Sequence, residues 1–301
     1  MILGFDPYVA FGWSIVAGFM MSMGAGGGGI LAGIGHISFL GIGDPNMIKV
    51  VNQILEFSSR IVSVPLYHRQ NRLTWSLAIA FGIGAPFGAV AGSWFSKWYL
   101  SDMTQYRTAF GILIVLVAGR VLYEGWGKAA LLHVGLRKAK EASERASRGA
   151  RASVTGLKVE DGPHSSMVAW NKVRVRFGGE NFDFNPIAAA AGGFIISFLG
   201  SAFGVGGGFL VTPFMASVLF FPMYLVVGTS LVALIVPLAV SVTTYLVLMV
   251  PVNWWLVGVE VPGVLLGSFL GPWLNRYMNE KALKTFVAVV LLCIGIYYAI
   301  H

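Results

Sequence analysis

Five polar side chains fall three and four residues apart within a mostly apolar stretch: Lys49, Asn52, Gln53, Glu56 and Arg60. That spacing puts them on one face of a helix. Charge at mid-membrane costs at least about 2.5–3.5 kcal/mol per group, so such residues face a bundle interior or a watery cavity. Two roles fit the Glu56–Arg60 pair. It is either an intrahelical staple or a basic group held ready for an anion, with Glu56 fixing its neighbour. Lys49 either draws an anion inward or, being close to the helix start, snorkels to the interface. Asn52-Gln53 recur 177 positions later as Thr229-Ser230. Amide and hydroxyl donors suit an oxyanion without further charge, and the same groups also bond neighbouring helices. Glu260 lies in another apolar run with no basic residue within a turn. It reads as a proton-coupling group or as a carboxyl bonded to a backbone group. His36 reads as a packed polar side chain rather than a metal ligand. No second His, Cys or carboxylate stands at ligand spacing from it.

Two glycine strings carry the other candidate chemistry. The first runs Gly24-Ala25-Gly26-Gly27-Gly28-Gly29-Ile30-Leu31, the second Gly204-Val205-Gly206-Gly207-Gly208-Phe209-Leu210. Glycine inside a helix costs about 1 kcal/mol relative to alanine, so each string should break one. At membrane depth the freed N–H and C=O groups are tolerated only when buried in protein or lining a cavity. A helix that restarts there offers N–H groups to an anion, which makes Gly27, Gly28, Gly29, Gly206, Gly207 and Gly208 candidate ligands. Tight helix packing is the alternative. The first string also fits G-x-G-x-x-G, but no βαβ unit surrounds it. Gly41-Ile42-Gly43-Asp44 looks like the string of intramembrane aspartyl proteases, whose chemistry needs a second aspartate that no other span holds.

The rest of the chain must hold these groups in a bilayer. Hydrophobic residues make up 56% of it and charged residues 11%, against roughly 25% charged in soluble domains. This is the composition of a polytopic membrane protein. The first residues show neither a basic leader nor a small-residue cleavage site. The lone Cys293 rules out an intrachain disulfide. The net charge of +8 sits mostly in one loop, as the positive-inside rule expects, so nucleic acid is not implied.

Apolar runs place spans at about 7–23, 27–40, 45–66, 74–95, 106–123, 186–203, 206–220, 224–250, 254–273 and 282–300. The second and seventh are short for a crossing of about 20 residues. Asp44 and Pro45 read as the N-cap and first residue of the third. Gly84, Gly88 and Gly92, like Gly263, Gly267 and Gly271, recur every fourth residue, which lets another helix come close. Between Gly125 and Asn185 the chain is polar and holds eleven of its Lys and Arg residues. Lys138 to Arg151 reads as helix. Lys172 to Phe184 reads as a β-hairpin turning at Gly178-Gly179. The remainder of the loop reads as flexible.

The two halves align. Gly27–Leu31 and Gly206–Leu210, and Trp75, Gly84, Gly88 and Gly92 with Trp254, Gly263, Gly267 and Gly271, share an offset of 179 residues. Pro45 matches Pro222, Phe110 matches Phe286, and Gly119 matches Gly295 at nearly the same offset. Five spans per half, and the contrast between basic 67–72 and uncharged 251–253, predict halves inserted with opposite orientation.

Gly204 to Pro213, followed by Gly228-Thr229-Ser230, resembles the second-half signature of the sulfite exporter TauE/SafE family. The duplicated layout fits that family outside the central loop. In the first half Ile34 stands where the repeat would put the proline, and Asn52-Gln53 stand for Thr-Ser. The resemblance implies transport of small sulfur-containing anions such as sulfite, sulfonates or sulfoacetate.

The expectation is an all-α polytopic membrane protein of eight to ten spans in two inverted repeats. Residues 1–125 form the first repeat, 126–185 a basic cytoplasmic insert and 186–301 the second repeat. Its function is expected to be secondary transport, as an exporter of a small anion by alternating access. A passive channel, a membrane enzyme and a signalling scaffold are the alternatives. Glu56 and Glu260 are the proton-coupling candidates. No cofactor or metal is expected. The partners are the anionic substrate, the lipid bilayer and, as an option, a second copy, in a bacterial inner membrane.

Overall fold

The computed structural model describes residues 6–24, 27–126, 134–152, 162–275 and 292. In the first half, α1 is Pro7–Ser22, α2 Gly28–Ile34, α3 Pro45–Arg69, α4 Trp75–Tyr99 and α5 Met103–Trp126. The insert holds α6 (Val134–Ala152) and strands β1 (His164–Ala169), β2 (Lys172–Phe177) and β3 (Glu180–Phe184). The second half has α7 (Pro186–Phe203), α8 (Gly208–Pro213), α9 (Met223–Ala233), α10 (Ile235–Val247) and α11 (Trp254–Asn275). Of the span expected over 282–300 only Leu292 is described, and the Phe286 and Gly295 matches lie outside the described residues.

Local chemistry sets the helix starts. Asp6, Asp44 and Asn185 each precede a proline, and each side chain accepts from the backbone N–H two residues on, at 2.9 Å. Proline at the first helical position sacrifices no hydrogen bond. The Asp6 and Asn185 caps lie 179 residues apart. The same offset relates the two short helices. Each passes into a π-helical turn, Gly35–Phe39 after α2 and Phe214–Val218 after α8. The bonds that close them match in pairs. Leu40 and Ile42 donate to Gly35 and His36, and Leu219 and Phe221 donate to Phe214 and Met215.

Both glycine stripes meet the first helix of the other half. A Cβ on Gly84, Gly88 or Gly92 of α4 would strike the carbonyls of Ala190, Phe194 and Phe198 on α7. One on Gly267 of α11 would strike the Ile15 carbonyl of α1, and Gly263 and Gly271 abut Ser14 and Ser22. The contacts rise together along both chains, so each pair runs parallel. The run expected as one span over 224–250 is two helices, α9 and α10, meeting at Leu234.

Among the described residues four helices are long and apolar enough to cross a membrane: Trp75–Tyr99, Pro186–Phe203, Met223–Val247 (α9 with α10) and Trp254–Leu274. Their outer faces carry exposed ridges, Ile79, Ile83, Phe87, Val90, Trp94 and Trp98 on α4 and Trp255, Leu266, Phe269 and Trp273 on α11. Contiguous apolar surface of this kind belongs against lipid.

The insert is more ordered than the sequence implies. The hairpin is joined by a third strand, β1, in an antiparallel sheet of order β1-β2-β3. Val173, Val175, Phe177, Phe182 and Phe184 pack on Ala139, Ala142 and Ala146 of α6 and on Phe221 and Tyr224 of the second half. β1 escapes a periodicity reading because all six of its residues are exposed. On the sheet's outer face Arg174 donates to Asp183 at 2.8 Å and Lys172 reaches it at 2.9 Å. The hydrogen bond from Arg174 holds the Asp183 carboxyl down at about 2.

Two outcomes follow from this packing. Gly88→Ala should destabilise the protein by about 1–3 kcal/mol through overpacking, whereas Gly82→Ala, with nothing near its added methyl, should be neutral or gain up to about 1 kcal/mol. Melting curves in detergent test both. A depressed carboxyl stabilises the fold above its unfolded value of 3.8 and loses that contribution as pH falls through its folded value. The protection factors of the β2 and β3 amides, with the intrinsic pH dependence of exchange divided out, should therefore hold steady down to about pH 4 and fall towards pH 2.

Candidate functional site

The two glycine segments converge on one carboxylate. A Cβ on Gly29, in the first turn of α2, would strike Glu56 Oε1 and the Val205 carbonyl. One on Gly206 would strike the same carboxylate through Oε2. Gly206 and Gly207 also hold φ of +64° and +75°, a region other residues enter at a cost of roughly 1–2 kcal/mol. Glycine is thus required at residue 206 on two counts, conformation and space.

Glu56 accepts from Arg60 Nη2, four residues on, and both side chains are 3% exposed. The staple reading of this pair describes its geometry. Yet Arg60 Nε and Nη1, both side-chain atoms of Asn52 and Gln53 Oε1 are buried without partners among the described residues. Asn52 lies across from Gly33 of α2, with its amide nitrogen 3.2 Å from where a Cβ would be. Buried polar atoms are normally bonded, so this cluster has unused capacity for a ligand on the face that meets the glycines.

Other expected ligands have structural work. Lys49 Nζ donates to the Leu100 carbonyl at the end of α4 (2.6 Å) and to Asn46 Oδ1 (3.2 Å), and lies 4.7 Å from the Tyr106 ring centre. A cation at a helix C-terminus satisfies carbonyls left over there. Lys49 is fully buried rather than snorkelling. Thr229 Oγ1 accepts from the Thr74 N–H at the start of α4 (2.9 Å), and Ser230 donates to the Val227 carbonyl. None of these bonds reaches Glu56. Gly27 precedes α2 as its cap and Gly28 packs on Met21 of α1. Gly208 opens α8, and Ala25 and Gly26 lie outside the described residues.

The carbonyls freed where α1 and α7 end are also met by side chains. Tyr67 Oη donates to Ser22, and Tyr245 Oη and Gln53 Nε2 donate to Ser201. Ser96 and Tyr106 donate to Ala202 and Phe203, and Thr212 donates to Gly24. Residues 22 and 201 are themselves 179 apart, so both breaks are sealed by a tyrosine in the same way.

Sequence reasoning missed one partnership. His36 Nε2, in the π-helical turn after α2, sits 2.9 Å from both Glu260 oxygens, with exposures of 0% and 1%. Glu260 thus has a basic partner rather than a backbone one, 224 residues away. Nothing in either local sequence signals it beyond a lone polar residue in each apolar run. Among the described residues no cluster could hold a metal ion. Arg72 also bridges the halves, donating to the Tyr224 carbonyl at 2.9 Å and stacking over the rings of Tyr67 and Tyr224.

Lipid-facing ridges, helices broken at glycines and a buried charged centre between the breaks define an integral membrane protein of transporter type. The family model described as Sulfite exporter TauE/SafE matches residues 10–298. The chain belongs to that family. It is 24% identical over 290 residues, covering 93% of each chain, to a protein named Probable membrane transporter protein YunE from Bacillus subtilis (strain 168). No solved structure gives a significant match. The protein is a membrane transporter, not an enzyme.

Removing one member of a buried pair strands the other charge, at about 3–5 kcal/mol. Arg60→Leu and Glu56→Leu should each melt earlier by that measure, and the double variant Glu56→Leu/Arg60→Met should recover most of the loss. Melting curves of the three, beside the parent, check this.

Proposed function

We propose that the protein carries a small sulfur-containing anion, such as sulfite or an organosulfonate, outward across the membrane. The observation that carries this reading is the meeting of both glycine segments on Glu56, beside an Arg60 whose Nε and Nη1 have no partner among the described residues. The planar guanidinium fork matches an oxyanion. Asn52 adds a neutral donor, and Gly29 and Gly206 make the room in which Glu56 holds Arg60 beside it. Lys49, Thr229 and Ser230 position the helices around it. The family, sulfite exporters of the TauE/SafE type, makes sulfite the first anion to try.

Residues 1–125 and 186–301 act as inverted repeats, with alternating access arising from one rocking against the other. Supporting this are the paired caps, π-helical turns and tyrosine seals at a 179-residue offset, and the reciprocal pairing of α4 with α7 and α1 with α11. The insert, with its many Lys and Arg residues, faces the cytoplasm of a bacterial inner membrane. His36 joins Glu260, with Glu56, as the proton-coupling set. The buried His36–Glu260 bond ties the π-helical turn after α2 in one half to α11 of the other, a contact between the parts that move.

The test is counterflow of labelled sulfite in proteoliposomes, competed with taurine, sulfoacetate, thiosulfate, sulfate and chloride. Saturable uptake blocked by one or two sulfur anions, and lost in Asn52→Leu at unchanged melting temperature, is expected. Non-saturable flux would favour a passive channel, and no flux of any anion from folded protein would overturn the reading. In His36→Gln and Glu260→Gln the flux should persist with its pH dependence flattened. A pH profile equal to that of the parent in both would remove them from the coupling set.

A further inference from the structure

The hairpin formed by β1 and β2 has an apolar tip that nothing described in the protein covers. Met167 is 77% exposed, Val168 51% and Trp170 74%. Strand direction decides where this tip points. β1 and β3 are both antiparallel to β2, so they run the same way. β3 ends at Phe184 and passes through Asn185 straight into α7, one of the helices fit to cross the membrane. Val173 pairs with Phe184 and Lys172 pairs with Ala169. The β1–β2 turn therefore stands level with Asn185 and two strand spacings to its side, about 10 Å away. Trp170 thus lies level with the start of α7. Towards the other end of β1, Ser165 Oγ is 2.8 Å from Ser76 Oγ, in the first turn of α4, so the sheet is also tied to a second helix.

Charge complements the apolar tip. Lys172, Arg174 and Arg176 alternate along the outer face of β2, against one acid, Asp183. An aromatic tip with a row of cations beside it matches the headgroup layer of an anionic bilayer. We propose that Met167 to Trp170 insert into that layer beside α7, with Lys172, the cation next to the turn, towards lipid phosphates. Contact with lipid would fix the sheet whose inner face, through Phe177, Phe182 and Phe184, rests on Phe221 and Tyr224 just beyond the second π-helical turn.

The test uses the full chain with Cys293→Ser. Single cysteines at Trp170→Cys and, at the other end of the sheet, Asn181→Cys carry an environment-sensitive fluorophore. The protein is placed in vesicles of phosphatidylglycerol or of phosphatidylcholine, with and without headgroup-level spin-labelled quencher lipid. Expected are a blue shift and loss of emission on quencher addition at residue 170 but not at residue 181, with the larger loss in phosphatidylglycerol. Met167→Cys, which keeps Trp170, gives the same readout should the first variant fail to fold. Emission at residues 167 and 170 as unshifted and unquenched as at 181 would overturn the proposal. A blue shift without lipid quenching would overturn it in favour of a second copy on the tip. Equal quenching in both lipids would overturn the role of Lys172.

Discussion

Everything in the membrane core answers to one buried carboxylate. Glu56 lies buried where two helix breaks meet, out of reach of bulk solvent. Its neighbour Arg60 supplies the opposite charge from the same helix, which fixes the pair's geometry without help from elsewhere. Space for the carboxylate comes only from glycine at residues 29 and 206. A methyl at either position would occupy the place of a carboxylate oxygen. The glycine segments are therefore more than helix breakers; they give the carboxylate its room, and the donors left unused beside it belong to Arg60 and Asn52.

Breaking helices at membrane depth leaves carbonyls that lipid cannot bond. The protein meets this with side chains from other elements. Tyr67, Tyr245, Gln53, Ser96, Tyr106 and Thr212 cover the ends of α1 and α7, and Lys49 covers the end of α4. Several of these donors cross from one half to the other. His36–Glu260, Arg72–Tyr224 and the glycine stripes do the same. The halves are interlocked by directional polar contacts as well as by close backbone packing. Motion of one against the other has to exchange these bonds rather than slide over an oily surface.

The insert shares its core with the second half. Its aromatic residues stack on Phe221 and Tyr224, at the exit from the second π-helical turn. Tyr224 in turn holds Arg72 by its carbonyl and its ring. A continuous set of contacts thus runs from the insert to the junction between the halves.

Much was legible in the sequence because it rests on composition and short-range geometry. Apolar content, helix starts at Asp44-Pro45, the breaks at glycine runs, the glycine stripes and the repeat offset are all local or periodic signals. The i, i+4 pairing of Glu56 with Arg60 is of the same kind. Residue type alone marked Lys49 and Thr229 as polar groups in apolar runs, without distinguishing a ligand from a cap. That distinction depends on what lies opposite, and Leu100 and Thr74 are supplied by another helix. The His36–Glu260 bond, the approach of Gly206 to Glu56 and the third strand were decided only in the tertiary structure. Each depends on residues far apart in the chain, brought together by helix packing, and no local pattern encodes which distant groups packing will place within hydrogen-bonding distance.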